Sequence, residues 1–323
     1  MPKVMIHPAT YENVRPAVER AFELFPLDLK GKKVLIKPNL LRGSKAEEGV
    51  VTHPAVLRAV VEKVESMGPA QIVVGDNPGL FGYGANEQSF QQTGLMEAAK
   101  GYYRNIGNDA RSLAFNPAFA SRVSISQAIL DADVVISLPK FKTHGLTVIT
   151  GAIKNSYGML PGAQKAKIHK EGNGPASPDL RDIGVIMAAD NAVAMDAVMA
   201  HMMGCPPERL PFLQKAKALG LGDYDLAKID IDGELKQIPN FKLPSLAGEA
   251  IAGNAAIQAF LHSKTVLRPK ADPTLCTACG TCVAQCPAEA LSIPEELPRV
   301  DADKCIVCFC CQEICPEKAI TLQ

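Results

Sequence analysis

The chain has 323 residues, 34 basic and 34 acidic side chains, and 47% apolar content. That length exceeds one average domain and that apolar content fills a sizeable core, so a two-domain globular protein is expected. A net charge of zero excludes a global field that would recruit nucleic acid or an anionic membrane, and any electrostatic attraction has to be local.

In chain order, Val4-Met5-Ile6 reads as a short strand, Val14 to Leu24 carries apolar residues at helical spacing, and Val34-Leu35-Ile36 is the next strand. Met1 to His7 lacks the apolar core of a signal peptide. No stretch reaches about eighteen uninterrupted apolar residues, so a cytoplasmic location and no membrane partner are expected. Thr52-His53-Pro54 has the form of an N-cap followed by proline, leading into a helix over Ala55 to Met67. Gln71-Ile72-Val73-Val74 is a strand ending at Gly75-Asp76-Asn77-Pro78-Gly79, and Val123 to Leu130 mixes strand with helix. Asp133 to Leu138 and Gly184 to Ala189 are further strands, and Asp190 to Met203 is a helix stopped by Gly204. Pro239 to Pro244 breaks the pattern before a final helix over Ser245 to Leu261. The fold class is therefore α/β, a mainly parallel sheet with helices on both faces, whose ligands collect at the carboxyl ends of the strands.

The boundary with the second domain falls at the linker Val266 to Pro273, giving domains 1–265 and 266–323. Beyond it lie nine of the ten cysteines. Cys276-x-x-Cys279-x-x-Cys282-x-x-x-Cys286-Pro287 returns 29 residues later as Cys305-x-x-Cys308-x-x-Cys311-x-x-x-Cys315-Pro316, with Ala290 and Ala319 in step. Thiolates at this spacing wrap three corners of an iron–sulfur cubane, and the fourth ligand arrives from elsewhere. Zinc sites show paired ligands with a longer gap, and disulfides belong to oxidising compartments, so neither accounts for the doubled run. The region resembles the bacterial two-[4Fe–4S] ferredoxin domain. That resemblance implies two [4Fe–4S] clusters, one held by Cys276, Cys279, Cys282 and Cys315 and one by Cys305, Cys308, Cys311 and Cys286, served by an external electron donor or acceptor. Cys310 falls outside the ligand spacing and reads as a small packing residue, as does the lone Cys205.

Within the first domain, Val134 to Lys170 contains six lysines, two histidines and no acidic residue. Lys140 and Lys142 follow directly on a strand end, where a carboxylate or phosphate would be attracted. Glycines at 145, 151, 158 and 162 and interleaved apolar residues favour a pocket over a solvated loop. Lys37-Pro38-Asn39, Gly75-Asp76 and Glu171-Gly172-Asn173-Gly174-Pro175 lie at other strand ends and are expected to converge there. No dinucleotide or P-loop phosphate motif occurs, and no Ser/His/Asp set declares itself.

Together Ile36-Lys37-Pro38-Asn39, Gly75-Asp76, Leu138 to His144, Gly151-Ala152-Ile153-Lys154-Asn155 and Glu171 to Pro175 resemble the domain of unknown function numbered 362, whose members often end in a ferredoxin module. The sequence departs from that pattern where Lys167 to Lys170 run straight into Glu171, without a further helix and strand between. Lys37, Asn39, Asp76, Lys140, Lys142, Lys154 and Asn155 are the expected binding residues for an anionic small molecule, with His144 and Lys154 as candidate catalytic groups. The resulting expectation is an oxidoreductase relaying single electrons to that anion. Alternatives are an electron-transfer protein whose large domain docks a partner enzyme, and a redox sensor or scaffold.

Overall fold

The computed structural model describes residues 1–78, 84–115, 122–144, 147–160, 181–243, 268–286, 288–305 and 310–323. Strand β1 (Lys3–Pro8) and helix α1 (Arg15–Leu24) lead into β2 (Lys33–Pro38), α2 (Pro54–Ser66) and β3 (Gln71–Val74). Helices α3 (Ala85–Gln92) and α4 (Leu95–Ala98) follow, then the hairpin β4 (Ala110–Ala114) and β5 (Arg122–Ser126), α5 (Gln127–Leu130) and β6 (Val134–Leu138).

Strand β2 is the centre of a wholly parallel sheet of order β3-β2-β6. Its Val34 and Ile36 point to one face and Leu35 to the other, and all three are buried, so both faces must be covered. One face packs on Val18, Leu57, Val60, Phe90 and Leu95, contributed by α1 to α4. On the other, Leu35 and Val73 meet Ile106 and Ala128, which brings α5 against the sheet.

The mainly parallel sheet expected from the alternating pattern is divided, among the described residues, into two three-stranded sheets and two hairpins. The hairpin β7 (Lys142–His144) and β8 (Val148–Thr150), the short helix α6 (Ala152–Asn155), β9 (Val185–Ala189), α7 (Ala192–Met202), α8 (Pro211–Ala218) and β10 (Asp230–Gly233) are the remaining described strands and α-helices of the large domain. Strand β1 pairs parallel with β10 and antiparallel with β9, not with β2. The reason is its apolar face: Val4 and Ile6 pack against Val193, Ala197 and Val198 of α7, a core separate from the one beneath β2. Helix α7 is apolar around nearly its whole circumference and accordingly buried. Asn191 caps it by accepting from Val193 and Ala194 N–H, and Gly204 follows it at φ 74°, a backbone state that glycine adopts without penalty. At α2 the cap is His53, whose Nδ1 accepts from Ala55 N–H at 3.2 Å; Thr52 is used elsewhere.

The C-terminal module contains β11 (Pro269–Ala271), α9 (Thr281–Ala284), β12 (Leu291–Ser292), β13 (Arg299–Val300), α10 (Cys310–Glu313) and β14 (Ile320–Leu322). Strands β11 and β14 close the two ends of the module antiparallel, and β12 pairs with β13. Ser124 Oγ of β5 donates to the Gln285 carbonyl at 3.1 Å, a contact between the two parts of the chain. The expected domain boundary, the Ser245 to Leu261 helix, the Glu171 to Pro175 turn and the junction before it lie outside the described residues. Among the described residues no helix is long and apolar enough to cross a membrane.

Candidate anion site and iron–sulfur module

The carboxyl ends of the three parallel strands deliver Lys37, Asp76 and Lys140 to one edge, as parallel topology dictates. Gly75 is required there because a side chain would strike Ile106 and the Arg104 carbonyl at 2.6 and 2.7 Å. Lys37 is fully buried and its ammonium lies 2.7 Å from Asp76 Oδ1. It also donates to Asn155 Oδ1 at 3.0 Å and to the Pro38 carbonyl at 3.2 Å, so all three of its donor positions are used. Burial pushes the Lys37 pKa below its ordinary value, opposed by the charge and hydrogen bond of Asp76. Asp76 in turn accepts from Leu40 and Asn77 N–H. Gly158 lies over this pair: a Cβ there would collide with both Asp76 Oδ1 and Lys37 Nζ.

Asn155 is the hub above the pair. Its Nδ2 donates to Ser137 Oγ at 2.8 Å, and its Oδ1 also accepts from Asn39 Nδ2 at 3.3 Å. Asn39 Oδ1 accepts from Lys142 Nζ at 2.8 Å, and Lys142 donates further to the Val50 carbonyl at 2.6 Å. Thr52 Oγ1 accepts from Asn39 N–H and donates to the Leu138 carbonyl, tying β2 to β6.

Burial, reinforced by the positive charge of Lys154 beside it, pushes the Lys142 pKa down to about 7; Lys140 and Lys37 add to this and Asp76 opposes it. Burial pushes Lys154 down to about 8. Among the described residues Lys154 makes no hydrogen bond or ion pair. Lys140 donates to Tyr11 Oη at 2.6 Å, and the Tyr11 ring stacks on His53 at 3.7 Å. Burial, followed by the Lys140 charge, lowers the His53 pKa. His144 is half-buried on β7 and its Nδ1 accepts from Thr147 N–H at 3.4 Å. The hairpin is strained where it turns, because the β-branched Val148 has φ 65°.

All seven expected binding residues thus share one neighbourhood. Sequence reasoning missed Asp196, the one acid of apolar α7. Its carboxylate accepts from Ala152 N–H at 2.5 Å and Ile153 N–H at 3.0 Å, fixing the turn that carries Lys154 and Asn155. Burial pushes its pKa up to about 7 against the pull of those two amides. An acid alone in an otherwise apolar helix was the available signal. Asp196→Ala leaves both amides without their acceptor and is expected to cost about 2–4 kcal/mol, measured by urea denaturation, whereas Asp196→Asn should retain part of that stability. An unchanged midpoint for the alanine variant would remove Asp196 from this role.

In the C-terminal module the internal repeat is written into the backbone. Cys276 and Cys305 N–H each donate to an aspartate carbonyl four residues earlier at 2.9 Å, and Ala290 and Ala319 N–H each donate to a cysteine sulphur at 3.3 Å. Glu289 and Lys318, again 29 residues apart, share the left-handed conformation at φ 50° and 53°. Cys276, Cys279, Cys282 and Cys315 line one cavity with Pro298, Pro316 and Ile320. Three thiols from the first run and one from the second fit the three-plus-one donor set of a [4Fe–4S] cluster. Cys286, Cys305 and Cys311 of the second set lie in the same apolar cluster, while Cys308 and the side chain of Cys310 fall outside the described residues. Cys205 is buried among core residues, as its packing role requires.

Residues 34–172 match the model of a domain of unknown function (DUF362), and residues 268–316 that of a 4Fe-4S dicluster domain. A thylakoid-associated protein of Synechocystis sp. is 27% identical over 230 residues, covering 59% of this chain and 69% of the relative. The chain therefore carries a DUF362 domain followed by a C-terminal 4Fe-4S dicluster domain, and it is an iron–sulfur protein of the electron-transfer type.

Proposed function

We propose that this protein is an oxidoreductase that binds an anionic small molecule between Lys142 and Lys154 and passes to it single electrons taken from an external one-electron donor. The observation that carries this reading is a charge imbalance. Four lysines gather at this strand edge, and among the described residues the one carboxylate between them, Asp76, is consumed by Lys37. Among the described residues Lys142 and Lys154 are left desolvated and without an ion-pair partner, which an entering anion would supply.

In this reading Lys37, Asp76 and Gly158 form the floor and touch no substrate. Asn39 and Asn155 hold the lysines in place, Lys142 and Lys154 bind the anion and offset negative charge that grows on reduction, and His144 stands on the hairpin as the candidate proton donor. Bound [4Fe–4S] clusters exchange one electron at a time. A docking patch for a partner enzyme would keep its lysines in water, and the desolvation of these two argues for a small-molecule site instead.

The sign of the pH dependence follows from the two depressed lysines. An anion binds their charged forms, so affinity is greatest below about pH 7 and is lost as pH rises through 7 to 8. Calorimetric titration of the full chain with sulfate, whose charge is constant over this range, should show that decline. Lys154→Ala should weaken sulfate by about 10- to 100-fold at pH 6.5 (charged hydrogen bond, about 1.5–3 kcal/mol). Affinity that is flat with pH and indifferent to Lys154 would overturn the anion site.

A further inference from the structure

The strand-end lysines differ in how they are held. Lys37 has all its donor positions committed, Lys140 is committed to Tyr11, and Lys142 is committed to Asn39 and Val50 with one donor position remaining. Lys154 is half-buried, stands beside the charge of Lys142 and, among the described residues, has no hydrogen-bond or ion-pair partner. A lysine placed beside a second cation in a desolvated site is a nucleophilic amine rather than a permanent counter-ion.

A second observation points into the same space. Thr150 is the cross-strand partner of Lys142, so the two side chains emerge on one face of the β7–β8 hairpin. Thr150 is 3% exposed and, among the described residues, its hydroxyl has no hydrogen-bond partner. A buried, unsatisfied hydroxyl on that face is a group awaiting a polar ligand atom.

We propose that Lys154 forms a reversible imine with the carbonyl of an oxo acid whose carboxylate is held by Lys142. The inference rests on the anion site proposed above and names its substrate class. The neutral Lys154 amine adds to the carbonyl carbon, forming the C–N bond, and the carbonyl oxygen takes up a proton. Nitrogen then loses its remaining proton as the C–O bond breaks and water departs, leaving C=N; no electrons are exchanged. The remaining donor of Lys142 fits the carboxylate, which keeps Lys142 charged and thereby favours the neutral form of Lys154. The Thr150 hydroxyl bonds the departing oxygen.

The test is reductive trapping on the full cluster-loaded chain with pyruvate and cyanoborohydride at pH 7, where the anion site still binds, followed by peptide mapping. With the Lys154 pKa pushed down to about 8, its neutral fraction there exceeds that of an ordinary lysine by about 100-fold. Label should therefore accumulate at Lys154 at least about tenfold over the exposed, ion-paired Lys228. Propionate, which lacks the carbonyl, should compete, and Lys154→Arg should abolish the label. Label absent, spread evenly over surface lysines including Lys228, or placed on Lys142 overturns the assignment. Sulfate binding separates the two failures: sulfate bound without label refutes the imine and leaves the anion site standing, whereas neither sulfate binding nor label refutes both. The wild-type labelling map decides the matter even where the arginine variant fails to fold.

Discussion

Lys37→Met is expected to destabilise the large domain by about 3–5 kcal/mol, the range for removing one partner of a buried ion pair. The methionine fills the stem's space, so the loss comes from Asp76, a carboxylate 2% exposed that is left, among the described residues, with the Leu40 and Asn77 amides as its hydrogen-bond partners. Lys37→Met combined with Asp76→Asn removes both charges while preserving an acceptor, and should recover at least half of the lost stability. Urea denaturation with an unchanged slope is the measurement. A single variant within about 1 kcal/mol of the parent would show that the pair is not the keystone of this strand edge. Breaking the exposed Arg299–Glu295 pair should leave the midpoint where it was, since exposed pairs contribute little.

Cys282→Ala and Cys315→Ala are expected to remove the same cluster, although they belong to different copies of the cysteine run. Both line one cavity with Cys276 and Cys279. Each variant should lose about four of about eight irons per chain and the same electron paramagnetic resonance signal, while Cys311→Ala should lose the other. A Cys315→Ala protein that lacks the signal lost in Cys311→Ala would reverse the partition of ligands between the clusters.

The cysteine module was the most legible part of the chain because its chemistry is local: the spacing within each run brings three thiols together over seven residues, and the second run repeats it. The strand-end lysines were legible for a related reason. In a parallel sheet the residue after each strand has a fixed place, so Lys37, Asp76 and Lys140 could be assigned to one edge before their contacts were known. Three features were not legible. The separation of β1 from β2 depends on which helix covers Val4 and Ile6, a choice made by packing between residues nearly two hundred positions apart. Asp196 caps a turn forty-four residues upstream, and nothing in the spacing of α7 names that partner. The stack of Tyr11 on His53 beneath Lys140 joins three segments with no shared motif.

The sequence alone determined the 29-residue repeat of the eight cysteines expected to hold the clusters, and a local excess of lysine at strand ends, because each is a matter of short-range spacing along the chain. Only the tertiary structure decided how those lysines differ. Burial and neutralisation are long-range properties: Lys37 disappears beneath Asn155 and against Asp76, Lys142 is anchored by Asn39 and Val50, and Lys154 is left desolvated with no hydrogen-bond or ion-pair partner among the described residues. Identical side chains thereby become a structural cation and, in the roles proposed above, an anion holder and a nucleophilic amine, a division that desolvation and neighbouring charge impose and residue identity cannot.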